Sequence, residues 1–458
     1  MSLPGRQPAT SPSAMQLRRR QIAMSVPARR MLLVSFGTRG DVQPFCVLGR
    51  ELQARGHAVR ILTTSDYAGL VRRFGLDPVT MGVPFAEVLR DPAFDELFRS
   101  NFVPRSGLLR NVRALAGRVE AQITDLMLGA LDEVGRADLV VYNSFGFFAG
   151  AIARARGIAS LLVMCQPLLP TTRESLSLFG GRNLGRVGNR LSYEVFRLLT
   201  PLMHGPLRAL RRCGVGGDLH LLTNPVTHGL SETPVVLAYS AALSPPAKDW
   251  PVPATQTGFW FREQDPAAAL PEKIRHFLDA GPPPVYIGFG SMLWGAKRNT
   301  EVVRRALDLW GGRAILHTGS GRLALAGPMP DDHTAENRIL PIQESDHALL
   351  FPHVAAVVHH GGAGTTAAAL RAGRPNVVLP VLGDQFYWGR RVAEVGAGEA
   401  PVALGRVTPE DLAGRIARAA AGTRSAAVVA IATAMAREPG VSAAADLIER
   451  HTARAGAT

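Results

Sequence analysis

Residues 31–63, MLLVSFGTRGDVQPFCVLGRELQARGHAVRILT, decide the fold. Met31 to Gly37 form an apolar run closed by glycine, the pattern of a parallel strand buried on both faces. A polar turn, Thr38-Arg39-Gly40-Asp41, follows. Over 42–55 the apolar residues Val42, Phe45, Leu48 and Leu52 recur at helical spacing, and Gly56 ends the run in the manner of a C-cap. Residues 58–63 then read as a second strand. Strand, glycine turn, helix and strand make a right-handed βαβ unit, the building block of a doubly wound sheet.

Outward from that unit the alternation repeats, with strands expected at 137–142 and 159–164 and a helix at 149–156. Residues 165–230 lose it and become rich in Arg, Leu and Gly, with helical patches near 191–199 and 203–210; an insertion shaped to a substrate is expected there. The stretch 244–253, SPPAKDWPVP, is too rich in proline to continue a helix or a central strand and reads as the crossing between domains. Beyond it, strands are expected at 284–289, 314–318, 354–358 and 376–380, each followed by a helical stretch, and 408–450 read as two helices. The fold class expected is therefore α/β, with two Rossmann-like doubly wound domains facing one another across a cleft. The division is a basic tail over 1–30, a first domain over 31–243, a linker over 244–255, a second domain over 256–430, and a C-terminal helix within 431–458 that packs back towards the first domain.

A chain of 458 residues with 47% hydrophobic and 19% charged residues supports two or three buried cores and excludes a disordered polyelectrolyte. No run of about 18 apolar residues is present to span a bilayer. The net charge is +14, and only Lys248, Lys273 and Lys297 among the basic residues are lysines. Residues 1–230 carry +13 of that charge and 231–458 only +1. Such a field attracts anionic ligands, acidic membrane surfaces or nucleic acid. Nucleic acid is not expected, because no basic stripe interleaves with aromatic residues. The arginine-rich first domain leaves a weak association with a membrane surface open, and the expected state is a monomer or homodimer. Cys46, Cys165 and Cys213 are odd in number and widely spaced, which argues against a disulfide framework or a metal knuckle and fits a reducing cytoplasm.

The chemistry concentrates in residues 354–398, VAAVVHHGGAGTTAAALRAGRPNVVLPVLGDQFYWGRRVAEVGAG. A buried strand gives way to His359-His360, three glycines let backbone N–H groups approach a ligand, and a helix opens near Thr365. Backbone donors, the positive end of the helix dipole, the hydroxyls of Thr365 and Thr366 and an imidazole converge on one anion-sized spot. Gly362, Gly364 and Ala367 also satisfy G-x-G-x-x-G/A, with Asp384 about twenty residues on, as a dinucleotide site asks. An NAD-dependent oxidoreductase is therefore one alternative, although that fingerprint normally opens the first βα unit of a domain.

HHGGAGTT followed by LRAGRPNVVLPVLGDQFYWGRRV, together with SFGTRGDVQPF, GHAVR and IGFGSM, resembles the inverting nucleotide-sugar glycosyltransferases of the GT-B fold. Within that UDP-glycosyltransferase superfamily the likeness is to the bacterial sterol-glucosyltransferase-like and antibiotic-pathway branch, over roughly residues 31–430. The resemblance implies transfer of a sugar from a UDP- or dTDP-sugar to a hydroxyl of a lipophilic acceptor, with no metal and no resident cofactor. It implies that His360 meets the α-phosphate, that Gly362, Gly364 and Thr365 supply donors to the phosphates, and that Ser291 meets the β-phosphate. Asp384 and Gln385 would hold sugar hydroxyls, and His347 would lie near the base, where Leu349 replaces a tryptophan frequent in this branch. Such a leaving group gains negative charge in the transition state, and preorganised donors stabilise it.

The attacking alcohol needs its proton removed, and Asp41 in the first glycine turn is the residue implied as base. The plain structural reading of Asp41 is an N-cap, and the two roles coexist only if one carboxylate oxygen stays free. Arg39 either orients Asp41 or meets an anionic group, and with Phe145, Phe148 and Met164 it completes the expected acceptor pocket. His57 reads as structural. A sugar-nucleotide epimerase of the same fold is the remaining alternative.

Overall fold

The computed structural model describes residues 27–455 apart from 82–83, 85–86, 88–107, 199–203, 216, 218–223, 225, 265–266, 291–295, 319–337 and 423–424. Two parallel sheets organise it. The first contains β1 (Arg30–Val34), β2 (Ala58–Thr63), β3 (Asp77–Thr80), β4 (Leu139–Asn143), β5 (Ala159–Met164), β6 (Val235–Leu237) and β7 (Ala254–Gln256) in the order β3-β2-β1-β4-β5-β6-β7. The second contains β8 (Val285–Gly288), β9 (Ala314–His317), β10 (Ile339–Ile342), β11 (Val357–His359) and β12 (Asn376–Val378) in the order β10-β9-β8-β11-β12.

In each sheet the strand order reverses once, between β1 and β4 and between β8 and β11, and ligands of open α/β sheets bind at the carboxyl ends of strands at such points. Val34 at the end of β1 is level with Leu62 and Tyr142, so the loops after β1 and β4 leave the same edge side by side. Side chains of β1 alternate between two cores. Met31 and Leu33 pack with Val42, Phe45, Leu48 and Leu52 of helix Arg39–Ala54, whereas Leu32 and Val34 face helices Leu108–Gly135 and Phe147–Ala155. Each such burial contributes about 1.5–3 kcal/mol.

The chain ends in helices Pro409–Ala421, Ala426–Ala436 and Gly440–Ala455, where the sequence pattern predicts two. The last returns to helix Arg39–Ala54, placing Ala444, Ala445 and Ile448 in the same core. Arg55, buried at the end of that first helix, holds it in place through Glu51 (2.9 Å), Asp446 (2.6 Å) and Glu449 (2.8 Å). His57 Nε2 lies 3.1 Å from the Glu449 carboxylate inside this network, a structural position.

The proline-rich stretch is not the crossing between domains that its composition predicts. Residues 254–256 form β7, an edge strand of the first sheet, and the chain leaves only afterwards. An edge tolerates a strand that short because only one side must pair. The two domains also share apolar contacts: Trp388, fully buried in helix Gln385–Glu394, meets Tyr239 of the first domain (6.2 Å between ring centroids) and Phe259 of the crossing segment (5.6 Å).

Candidate active site

Asp41 leaves the end of β1 in a turn pinned from three sides. Gly37 takes φ +124°, and a Cβ there would lie 2.4 Å from Asp41 Oδ2, so only glycine allows the carboxylate its place. Asn143 at the end of β4 donates to the Phe36 carbonyl (2.7 Å) and accepts from the Phe36 and Gly146 amides. Ser35 Oγ donates to the Asp41 carbonyl (2.9 Å). The helix begins at Arg39 rather than near Val42, because Thr38 is the N-cap and Asp41 occupies the N3 position of a capping box. Asp41 is therefore not the N-cap itself. Its Oδ2 accepts from the Thr38 amide (2.8 Å) and hydroxyl (2.9 Å), while among the described residues Oδ1 accepts only Gln166 Nε2 (3.2 Å). One acceptor direction on Oδ1 thus stays open to a ligand.

Asp41 lines a small pocket with Asn143, Ser144, Phe145, Val163, Cys165, Gln166 and Leu168. Burial pushes the Asp41 pKa up to about 7, the hydrogen bonds from Thr38 and Gln166 oppose the rise, and the charge of Asp384 adds to it. Two buried acceptor-side atoms have no partner among the described residues, Ser144 Oγ and Gln166 Oε1.

On the other side of the cleft, β11 ends at His359 and the helix Ala363–Arg371 opens after Gly362, two residues earlier than the threonine pair implies. His359 is buried, accepts the Gly361 amide at Nδ1 (3.0 Å) and donates from Nε2 to Asn376 Oδ1 (2.8 Å), which fixes its tautomer and the loop after it. Gly361, at φ +90°, admits no side chain, because a Cβ would lie 2.7 Å from Val378 Cγ1. His360 turns the opposite way. A Cβ on Gly362 would lie 2.6 Å from its Nε2 and one on Gly290 3.1 Å from its Cε1, so the imidazole sits between the loops after β8 and β11. Its Nδ1 has no partner among the described residues, and burial lowers its pKa to about 4, leaving a neutral ring that donates a hydrogen bond without carrying charge. No side chain caps the helix, so the amides of its first turn, Gly364 and Thr365 among them, remain available to an anion. Thr366 does not join them, because its hydroxyl donates to the Gly362 carbonyl (3.0 Å).

Asp384 follows β12 and accepts Trp388 Nε1 at 2.9 Å; burial raises its pKa to about 6. Gln385 is buried beside it, and its Oε1 accepts the amides of Val381 (2.8 Å) and Leu382 (3.1 Å). Only its NH2 is left for a sugar hydroxyl. His347 stacks on Phe351 (4.4 Å between centroids) and meets the Tyr286 hydroxyl at 3.1 Å, and burial lowers its pKa to about 4. Ser291 lies outside the described residues.

Three expectations for the acceptor side change. Phe148 packs against Phe36 and Phe147 at 2% exposure, and Met164 is fully buried, so both belong to the core rather than the pocket. Strand alternation explains Met164: its neighbours Val163 and Cys165 point to the pocket instead. Phe145 lines the pocket and stands 42% exposed. Arg39 does not orient Asp41. It donates to Gln43 Oε1 (2.9 Å), and its charge helps lower the pKa of His317 and His347, which places it towards the second domain.

The sequence reading overlooked Gln166, Ser144, Asn143 and Trp388, each of which stands next to a strand end or one helical turn from a residue it did identify. It also overlooked Glu174, which bridges the domains by accepting from Arg391 (2.7 and 2.9 Å), Arg390 (3.1 Å) and the Tyr387 hydroxyl (3.3 Å).

Two family models match the chain: the glycosyltransferase family 28 N-terminal domain over residues 31–116, and the erythromycin biosynthesis protein CIII-like C-terminal domain over residues 315–449. A sterol 3-beta-glucosyltransferase of Arabidopsis thaliana is 29% identical over 93% of this chain and 69% of its own length. One of Aspergillus fumigatus is 31% identical over 81% of this chain but only 26% of its own length. The chain thus spans about two thirds of the plant relative and about a quarter of the fungal one. Among solved structures, the glycosyltransferase of kitacinnamycin superposes with a TM-score of 0.67 at 20% identity, covering 93% of this chain and 99% of the other. Glycosyltransferase VinC in complex with dTDP superposes with a TM-score of 0.63 at 20% identity, covering 93% and 100%.

Proposed function

This chain belongs to the GT-B glycosyltransferases, and we propose that it moves a sugar with inversion from a UDP- or dTDP-sugar to a hydroxyl of a lipophilic small molecule. The observation that carries the reading is Asp41. Its Oδ1 keeps one open acceptor direction beside a small pocket of mixed polar and apolar lining, its pKa is raised to about 7, and the charge of Asp384 in the second domain reaches it, while the loop after β11 offers amides and a neutral imidazole suited to a diphosphate.

The steps follow from those groups. An acceptor hydroxyl bound beside Phe145 and Leu168 donates its hydrogen bond to Asp41 Oδ1. As its oxygen attacks the anomeric carbon, the proton passes to Asp41 and the bond to the diphosphate breaks on the opposite face. The amides of the Ala363–Arg371 helix and His360 stabilise the charge on the departing diphosphate. Asp384 and the amide of Gln385 hold the sugar so that attack is in line. No metal or cofactor enters this scheme. Three free cysteines, two of them buried, fit residence in a reducing cytoplasm.

The NAD alternative is less well supported, since the glycine loop follows the fourth strand of its domain and His360 occupies its mouth. The test is a transfer assay with UDP-glucose and dTDP-glucose against sterol, flavonoid and macrolide alcohols. A product of inverted anomeric configuration supports the proposal. Retained configuration, or epimerised donor without transfer, overturns it.

A further inference from the structure

The insertion that supplies Gln166 and Leu168 to the acceptor pocket carries a helix turned inside out. Helix Gly185–Ser192 faces the protein with polar side chains. Asn189, fully buried, accepts the Leu184 amide (2.7 Å) and donates to the Thr172 carbonyl (2.8 Å), while Ser192 Oγ accepts the Leu176 amide (2.8 Å). Its apolar residues face outward: Leu184 is 55%, Val187 73% and Leu191 63% exposed. Spacings of three and four residues put these three within one narrow stripe. Arg182, Arg186 and Arg190 are exposed alongside, and none of them forms an ion pair among the described residues. The inner face is satisfied by hydrogen bonds, so folding does not account for leucine and valine outside.

We propose that this face docks on an anionic lipid bilayer, with Leu184, Val187 and Leu191 entering the acyl boundary and Arg182, Arg186 and Arg190 meeting lipid phosphates. An apolar stripe flanked by arginines on an exposed helix has the chemistry of an interfacial anchor. A second copy of the chain fits less well, because a two-fold contact through this stripe brings Arg186 and Arg190 against their own copies. No single described helix is long and apolar enough to cross a membrane, so the contact is with one leaflet. The location has a functional logic that rests on the lipophilic-acceptor reading. The same insertion runs from the pocket at Gln166 to the second domain, where Leu178 stands by Gly383 and Gly180 by Phe386, so docking would seat on the bilayer the segment that also borders the pocket.

The test is flotation of the full chain with vesicles of phosphatidylcholine alone and of phosphatidylcholine with phosphatidylglycerol. Wild type is expected on the anionic vesicles only, with binding that weakens as salt is raised. Changing Leu184, Val187 and Leu191 together to Ser is expected to weaken binding at least about tenfold, and changing Arg182, Arg186 and Arg190 together to Gln by roughly a hundredfold. Both variants should keep the wild-type melting temperature and transfer rate to a water-soluble acceptor, since no altered residue lines the site. Absence of wild-type binding, or unchanged binding by the apolar variant, overturns the proposal. A wild-type dimer in light scattering that the apolar variant dissociates also overturns it, and assigns the face to a second copy. Flotation, melting and light scattering do not use turnover, so a failure of the transfer reading would leave the docking result standing.

Discussion

Burial raises the Asp41 pKa to about 7, and a base works only in its ionised form, so turnover should climb about tenfold per pH unit below neutrality and level off above it. Asp384, raised to about 6, lies close enough to couple with it, and the profile reports the pair. Asp41→Asn keeps the size of the side chain and removes the base. Its kcat should fall by about 10²–10⁴ with donor affinity little changed. His360→Ala should do the reverse, weakening donor binding as well as turnover, and titration calorimetry with UDP and dTDP separates the two. Equal loss of donor affinity in both variants would contradict this division of roles. The amide of Gln166 holds the Asp41 pKa down, so Gln166→Leu should move the midpoint of the pH–rate profile upward. An unmoved midpoint would reduce Gln166 to a packing residue. At this scale Asp41, His360 and Asp384 were legible because each follows a strand in a glycine-rich or polar turn. Gln166 was not, because its role depends on β4 lying between β1 and β5 and pairing with both, an order that no local pattern encodes.

Among the elements, the long buried strands and the helices that follow them were readable from apolar runs and glycine stops. Strands β3, β6, β7 and β10 were not: each is fixed by pairing with a neighbour, β3 with β2, β6 with β5, β7 with β6 and β10 with β9. The early start of helix Arg39–Ala54 was missed for a different reason. A capping box built from Thr38 and Asp41 replaced the expected Asp cap and added a turn. The bridge from Glu174 to Arg390 and Arg391 joins the insertion to helix Gln385–Glu394, and Arg391 is nearly buried there. Glu174→Ala would leave that guanidinium with the more exposed Glu394 (2.7 Å) as its remaining carboxylate partner, at a cost of about 1–3 kcal/mol. Denaturant unfolding should show the loss, and a change under about 1 kcal/mol would mean that water replaces the carboxylate at little cost.

For the whole molecule, the loops at the two switch points carry Asp41 and His360, and Asp384 of the second domain lies close enough to Asp41 to raise its pKa. Stability and activity should then respond to pH in opposite senses. Asp41 and Asp384 have folded pKa values above the 3.8 of a free carboxyl, so between about pH 4 and 7 the native state binds more protons than the unfolded chain. Their contribution is fully present below about pH 4 and is lost as pH rises towards 7. Asp41→Asn should flatten this part of the stability curve, as thermal melts across the window would report; a slope equal to that of wild type would contradict the burial of the charge.

The measurement that bears most directly on the central claim is the melting shift of wild type and His360→Ala with UDP, dTDP, their glucose conjugates and NAD, because a ligand selective for the folded state raises its stability by mass action. The account predicts that UDP or dTDP raises the wild-type melting temperature, that the shift largely disappears in His360→Ala, and that NAD does nothing. A shift with NAD alone would mean that the glycine loop after β11 serves a dinucleotide, and the assignment of this cleft to sugar transfer would be wrong.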